Sequence, residues 1–573
     1  MQSVTSHSRA FAAILAVLVV VAGCTQGTPA PSRESSSPPA SQGQNTPRGR
    51  IVIVTRDEPV TLDSRLYRSH EIHDLVNAPI AYHDEADVVR PLLVEKMPSR
   101  DDGTWTIDSD GSMITIYKLK PNLKWQDGQP LTAPDFVFAA NNYMDQQIPV
   151  LKRSPESFMI SVSAPDPLSV RILWREPYAQ AGSLAEDDMA PLPRHLLQDQ
   201  YYRGEKQDYL NSSFWTSQEY VGNGPFRVRE WQKGISVVLT ANPHFVLGPP
   251  KLETVEVKYL ADANTTVAGF LAGTVDFSSY TAINFEQALT LRDQWKDNSG
   301  GRLLISERRG GRYVDFQYGD VPSHQRAVLD RRVRAALMHT VDKEALAQAI
   351  TGGFAPAADT FFGKKSALYP RLDQVITRYP FDARRTEALL GEAGWRRGAG
   401  SMFRNSAGQT LDMELWITAA NEQQAIVVAD DWKRAGINAS PFVIPRARND
   451  DYVYRVSFPS AQIQTAGFPL LAESLNSTEL PTPENAFSGG NRGHYVNSDV
   501  DRLFNSLAVT LNPADRDNAM VELERIMTAE VAGGHLYYLS EVAAARSNLK
   551  GPKEFASPNA NYYSFNIWEW SVG

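Results

Sequence analysis

From Arg50 onward the chain alternates two hydrophobic periods, and that alternation confines it to a mixed α/β fold. Ile51, Val52, Ile53 and Val54 form a short β-branched run that reads as a buried strand opening the body. Strand signals follow at 113–119, 170–174, 236–240, 254–259 and 411–417. Helical spacing is expected over 134–143, 331–350, 384–393, 423–435 and 515–529. No fixed-length repeat runs through these segments, which argues against solenoids and propellers. Pro- and Gly-rich stretches at 242–250 and 478–493 read as surface loops. A chain of 573 residues exceeds what one hydrophobic core usually serves, so several domains are expected.

Net charge is −9, from 57 Lys plus Arg against 66 Asp plus Glu, which offers phosphate backbones no positive field and removes nucleic acid as a partner. A single cysteine excludes an intramolecular disulfide framework and a thiolate zinc cluster. That residue, Cys24, closes a segment with a polar start at His7 and Arg9 and an apolar stretch of about a dozen residues from Phe11. The stretch is shorter than the roughly 20 residues a spanning helix needs, so 1–24 reads as a signal peptide. Its end, Val21-Ala22-Gly23-Cys24, resembles the bacterial lipobox, which implies that Cys24 is lipidated and begins the mature protein. Residues 25–50 are mostly Thr, Ser, Pro, Gly, Gln and Ala and read as a flexible leash. A leashed body stays beside the outer face of a membrane with its working surface in solution, an arrangement suited to handing cargo to a membrane partner.

The densest motif runs from Lys124 to Phe138. Asp127-Gly128 is a turn, Thr132 an N-cap, Pro134 and Asp135 suit a first helical turn, and Phe136, Val137 and Ala140 give one apolar face. The stretch resembles the signature of extracellular solute-binding proteins of family five, the peptide and nickel type receptors of ABC importers. Further landmarks keep the family's order: Gly222-Asn223-Gly224-Pro225-Phe226, Asn242-Pro243-His244-Phe245, and the Arg332 to Glu344 helix pattern. Leu389 to Trp395, Gly436-Ile437, and Tyr495 to Leu503 continue it. Most of these residues read as structural by chemistry, with glycines for positive φ and aromatics for core.

The resemblance implies a periplasmic-binding-protein-like type II clamp of two lobes with an extra inserted domain. On that template 51–85, 220–317 and 538–573 form lobe I, 86–219 the inserted domain II, and 318–537 lobe II. It further implies a monomeric, non-enzymatic receptor without metal or cofactor. Such a receptor binds an oligopeptide or peptide-like solute and delivers it to a permease driven by partner ATPase subunits. The chain carries no Walker loop of its own, since Ala358 stands where the first glycine before Gly363-Lys364-Lys365-Ser366 belongs. Ser547 and Lys550 have Ser-x-x-Lys spacing without the motifs that accompany it in acyl-enzyme hydrolases.

Peptide receptors of the family hold the ligand's ammonium with an Asp after a Gly-Trp-like element; here 464–473 has no Asp, leaving Phe468 as the aromatic and Glu473 as the substitute carboxylate. Other expected ligand contacts are Tyr67, Arg68 and Ser69 after the first strand, Tyr313 and Gln317 near a hinge, Trp416 and Asn421 at a strand end, and Arg455 for a carboxylate. Alternative solutes are a sugar or a metal chelate, the latter through His70, His73 and His83, although His70-Glu71-His73 reads better as a polar helix start than as a zinc motif. A different class of role is a non-transporting envelope scaffold or regulator of the same fold.

Overall fold

The computed structural model describes residues 49–63, 71–109, 111–148, 155–186, 188–296, 299–321, 325–398, 400–449, 451–467, 474–485, 487–555 and 563–573. The β-branched run becomes the strand Arg50–Thr55. Ile51 and Ile53 pack into one hydrophobic cluster and Val54 into another, so the strand is covered on both faces, as its unbroken apolar stretch requires. It pairs in parallel with Thr254–Tyr259 on one side and Phe277–Ser278 on the other.

These strands belong to a ten-stranded mixed sheet. Beyond Thr254–Tyr259 lie Ser236–Ala241 and then Phe226–Gln232, both antiparallel to their neighbours. In the other direction Phe277–Ser278 pairs with Gly533–Arg546, and that strand with Gly301–Phe316. Ala461–Ala466, Asp412–Thr418 and Asn438–Ile444 complete the sheet; Asp412–Thr418 is parallel to both of its neighbours.

The two middle strands, 16 and 14 residues long, tie the halves together. Gly301 to Glu307 pairs with Ser540 to Arg546, and Gly311 to Asp315 pairs with Gly533 to Tyr538. The register shifts between Glu307 and Gly311, where Gly310 adopts φ 97°. A bulge with a glycine in the left-handed region bends the paired strands where they leave one half for the other. Each half keeps its own core. Leu304, Ala543 and Ala545 join Leu239, Val255 and Phe277, whereas Val314, Phe316 and Leu536 join Leu415, Trp432 and Ile463. A third core of Met113, Trp125, Ile172 and Trp174 lies against a four-stranded antiparallel sheet ordered Trp105–Ile107, Met113–Lys118, Ser169–Trp174, Met159–Asp166.

Helices form where the apolar spacing places them, at Ala133–Met144, Ala383–Glu392, Glu422–Arg434 and Pro513–Glu530. The expected helix at 331–350 is instead two, Arg331–His339 and Lys343–Thr351. The Thr340 hydroxyl donates to the Leu337 carbonyl at 2.7 Å, and the Asp342 carboxylate accepts the Ala345 N–H at 2.9 Å as a new N-cap. These side chains compete with the continuing helix for its backbone groups. The loops expected at the surface are also partly internal. Asn242 and Asn491 are fully buried, their amide groups donating to the carbonyls of Gly224 and Tyr495.

Candidate functional site

Two sequence motifs converge on one short helix, Glu71–Val76. In the first, Gly128 at φ 88° closes a turn by donating its N–H to the Trp125 carbonyl at 2.9 Å. The turn buries Gln126, whose amide donates to the Val76 and Phe226 carbonyls at 3.1 and 2.6 Å while its oxygen accepts the Gly222 N–H at 3.0 Å. In the second, Asn223 accepts the Ala78 N–H and donates to the Ala78 carbonyl, both at 2.9 Å. A β-carbon on Gly224 would stand 2.4 Å from backbone atoms of Val76 and Asn77, so glycine is what lets this strand entrance touch the helix end. Both motifs therefore act as clamps on the helix.

The helix carries Glu71, which is 1 % exposed and whose Oε1 has no hydrogen-bond partner. Burial pushes its carboxyl up to about 8; a backbone N–H and the Ser279 hydroxyl pull it down, and the charge of Glu541 on Gly533–Arg546 raises it further. Ser279 follows the strand Phe277–Ser278, and its N–H donates to the Val54 carbonyl at 2.8 Å. Glu71 thus sits at the carboxyl ends of the parallel strands Arg50–Thr55 and Phe277–Ser278. Open α/β sheets bind ligands outside such ends.

The second half repeats the arrangement with the opposite charge. Arg312 lies on Gly301–Phe316 beyond the bulge, and its Nη2 donates to the Asn421 Oδ1 at 2.9 Å. Asn421 ends the turn that follows Asp412–Thr418, so this guanidinium also stands at the carboxyl end of a parallel strand. Its Nε is buried without a hydrogen-bond partner. Beside it, burial pushes the Tyr537 phenol up to about 12, with Arg312 opposing that rise. Along the strand between the two ends is Glu307, opposite Ser540 and 4.0 Å from the Lys365 Nζ of the second half. A carboxyl and a guanidinium are thereby held at either end of the strand crossing.

Of the residues expected from the sequence, Tyr67, Arg68, Ser69, Phe468, Glu473, His70 and Cys24 lie outside the described residues. Asn421 is brought onto Arg312. Trp416 meets Phe442 and Tyr454 at ring separations of 4.8 and 4.9 Å, which seats the helix of Arg455 against it; Arg455 donates to the Asn449 carbonyl at 3.0 Å. Tyr313 is buried edge-to-face on Phe361 at 5.3 Å. Gln317 is buried too, donating to the Val456 and Phe458 carbonyls and accepting the Gly319 N–H. His73 sits 3.2 Å from the Thr61 carbonyl and His83 2.9 Å from Glu186; among the described residues no three metal-ligating side chains cluster. The helix start read as polar is in fact internal, with Glu71 and His73 both buried.

Glu71, Glu541 and Arg312 are absent from the sequence candidates. Glu541 does leave a signal, as the one acidic residue in the largely apolar strand Gly533–Arg546. Glu71 leaves none, because an acid in a first helical turn is what the helix dipole favours at any surface.

A sheet of two halves joined by a pair of bent strands, with charged groups at the carboxyl ends of both parallel sets, is the architecture of a clamp-type solute-binding protein. The chain belongs to the bacterial extracellular solute-binding proteins, family 5, whose middle-region model matches residues 89–477. Oligopeptide-binding protein AppA of Bacillus subtilis is 24 % identical over 572 residues, covering 97 % of this chain and 98 % of the relative. The solved AppA structure, in complex with a nonapeptide, superposes with a TM-score of 0.67 at 21 % identity over 92 % of this chain and 99 % of that one. NikZ from Campylobacter jejuni, in complex with Ni(L-His), gives 0.70 at 21 % identity over 92 % and 100 %. The fold is therefore the type II periplasmic-binding-protein fold that the motifs imply.

Proposed function

We propose that this protein is the lipid-anchored receptor of an ABC importer, that it closes on a peptide or peptide-like solute, and that it passes the solute unaltered to a membrane permease driven by ATPase subunits. Lobe I (51–85, 220–317, 538–573) and lobe II (318–537) are the closing bodies, with 86–219 as the inserted domain. The observation that carries the reading is the buried Glu71 carboxyl, protonated at neutral pH, and the part-buried Arg312 guanidinium, each with a buried polar atom lacking a hydrogen-bond partner, at the two ends of the strand crossing. A zwitterion satisfies both, its ammonium on Glu71 and its carboxylate on Arg312. The likeness to an oligopeptide-binding relative supports the same class of solute. Contacts made to both halves at once would favour the closed form by their differential affinity. The Cys24 tether supports a location at the outer face of the membrane, and no described helix is long and apolar enough to cross one.

With a Glu71 pKa of about 8, the free protein holds a proton there at neutral pH, and an arriving ammonium displaces it. Calorimetric titration with a mixed oligopeptide library in buffers of different ionisation enthalpy should show close to one proton released per ligand at pH 6.5. Amino-terminally acetylated peptides should bind at least tenfold more weakly. Equal binding of free and acetylated peptides, or stabilisation by sugars and by no peptide, would discard the assignment.

A further inference from the structure

A pocket with about 60 Å³ of enclosed space, open to solvent at its mouth, lies between the first half of the sheet and the segment bearing the four-stranded sheet. Its described lining comes from residues 62–92, 186–225, 245 and 565–568, so nothing from the second half of the large sheet reaches it and it is separate from the strand crossing. His73, Asp74 and Asn77, on or just past the Glu71–Val76 helix, face it.

Its walls are aromatic. The Trp568 ring meets Tyr82 edge-to-face at 5.4 Å and Phe245 at 5.6 Å, forming a three-ring corner. Trp215 and Tyr220, with centroids 6.5 Å apart, line it as well. Three carboxylates and two histidines are among its described lining residues, with His83 standing 2.9 Å from the Glu186 carboxylate. Asp63, Asp74 and Glu186 line it, with no lysine or arginine among the described lining residues. Two cations that act on Tyr82 are already matched: Lys553 stands 3.1 Å from Glu85 and 3.6 Å from Glu569, and Arg90 stands 2.7 Å from Asp84.

The backbone around Glu186 is held at a cost. Glu186 at φ 49° and Met189 at φ 54° are left-handed without being glycine, an arrangement disfavoured for residues bearing a β-carbon. The Glu186 N–H donates to the Ala81 carbonyl at 2.8 Å, and its carboxylate accepts the His83 N–H at 2.7 Å with the His83 ring at 2.9 Å. These bonds fix a carboxylate on the cavity wall, where an ordinary turn would have left it in solvent.

We propose that this cavity is a second ligand pocket, and that it takes an organic cation with an aromatic or alkyl body, held by the Tyr82, Phe245 and Trp568 rings and by Glu186. Ring faces attract a desolvated ammonium, and a carboxylate adds a charge-assisted hydrogen bond; a neutral molecule of the same shape receives neither. The pocket stands independently of the peptide reading, since it shares no residue with the Glu71 and Arg312 pair.

The test uses the whole mature chain with phenethylammonium as probe and 2-phenylethanol as its neutral isostere, read by calorimetry and by tryptophan fluorescence. The amine should bind at least tenfold more tightly than the alcohol. Glu186→Gln, which keeps an acceptor for His83, and Trp568→Phe should each weaken amine binding about tenfold and leave peptide binding unchanged. Glu71→Gln should leave amine binding unchanged. Equal binding of amine and alcohol, wild-type amine affinity in both pocket variants, or loss of amine binding in Glu71→Gln would overturn the proposal. Peptide titrations on the same samples report separately on the solute crevice.

Discussion

Replacing Glu71 by Gln should stabilise the free protein, and by an amount that depends on pH. The carboxyl is buried beside Glu541, and its pKa is raised from 4.5 to about 8, chiefly by burial. The native state therefore keeps a proton that the unfolded chain releases above pH 4.5, so stability falls as pH climbs through that window and levels off once pH passes about 8. At about 1.4 kcal/mol per pH unit, the displacement sets an upper limit of about 5 kcal/mol. Water reaching the carboxyl would reduce the realised loss to roughly 2–4 kcal/mol. Gln has the shape of the protonated acid and cannot ionise. Wild type and Glu71→Gln should be nearly equally stable at pH 5, and the variant should lead by that amount at pH 8.5. Urea unfolding at half-unit pH steps measures this, with a melting-temperature lead of several degrees as a second readout. Parallel pH curves for the two proteins, or a variant less stable at pH 8.5, would refute the claim that an ionisable proton is stored there.

Gln126→Ala should cost about 2–4 kcal/mol, because it strips partners from the Val76 and Phe226 carbonyls and the Gly222 N–H in a buried setting; denaturant unfolding measures it, and a neutral result would remove the clamp role given to the motif. Asp342→Ala removes the cap that restarts the Lys343–Thr351 helix and should cost about 1 kcal/mol, whereas Asp342→Asn should cost much less. Cys24→Ala should shift the protein from the membrane to the soluble fraction or the medium on fractionation, and full retention in the membrane would argue against the lipid tether.

Much of the fold could be read from periodicity. Ile51 to Val54 signals a strand covered on both faces because an unbroken β-branched run has no polar side to expose, and the Ala133–Met144 helix announces its cap, first turn and apolar face. The motif glycines at 128, 222 and 224 were legible as structural, because a positive φ or a close backbone approach leaves no room for another residue. The break at Thr340 to Asp342 was not, since its helical period continues across it while the decision rests on two side-chain hydrogen bonds. The site was less legible still. Asn421 is conspicuous in sequence only by its place at a strand end, and its hydrogen-bond partner Arg312 lies 109 positions earlier.

By itself the sequence determined the class of fold, the order of its elements and the family, all of which rest on patterns local to a segment. Only the tertiary structure decided that Glu71 is buried beside Ser279 and Glu541 and that three aromatic rings from distant segments close a corner around Trp568. Burial and electrostatic neighbourhood are properties of the space between segments, and a carboxylate written into a helix start looks the same in sequence whether solvent or another carboxylate stands in front of it.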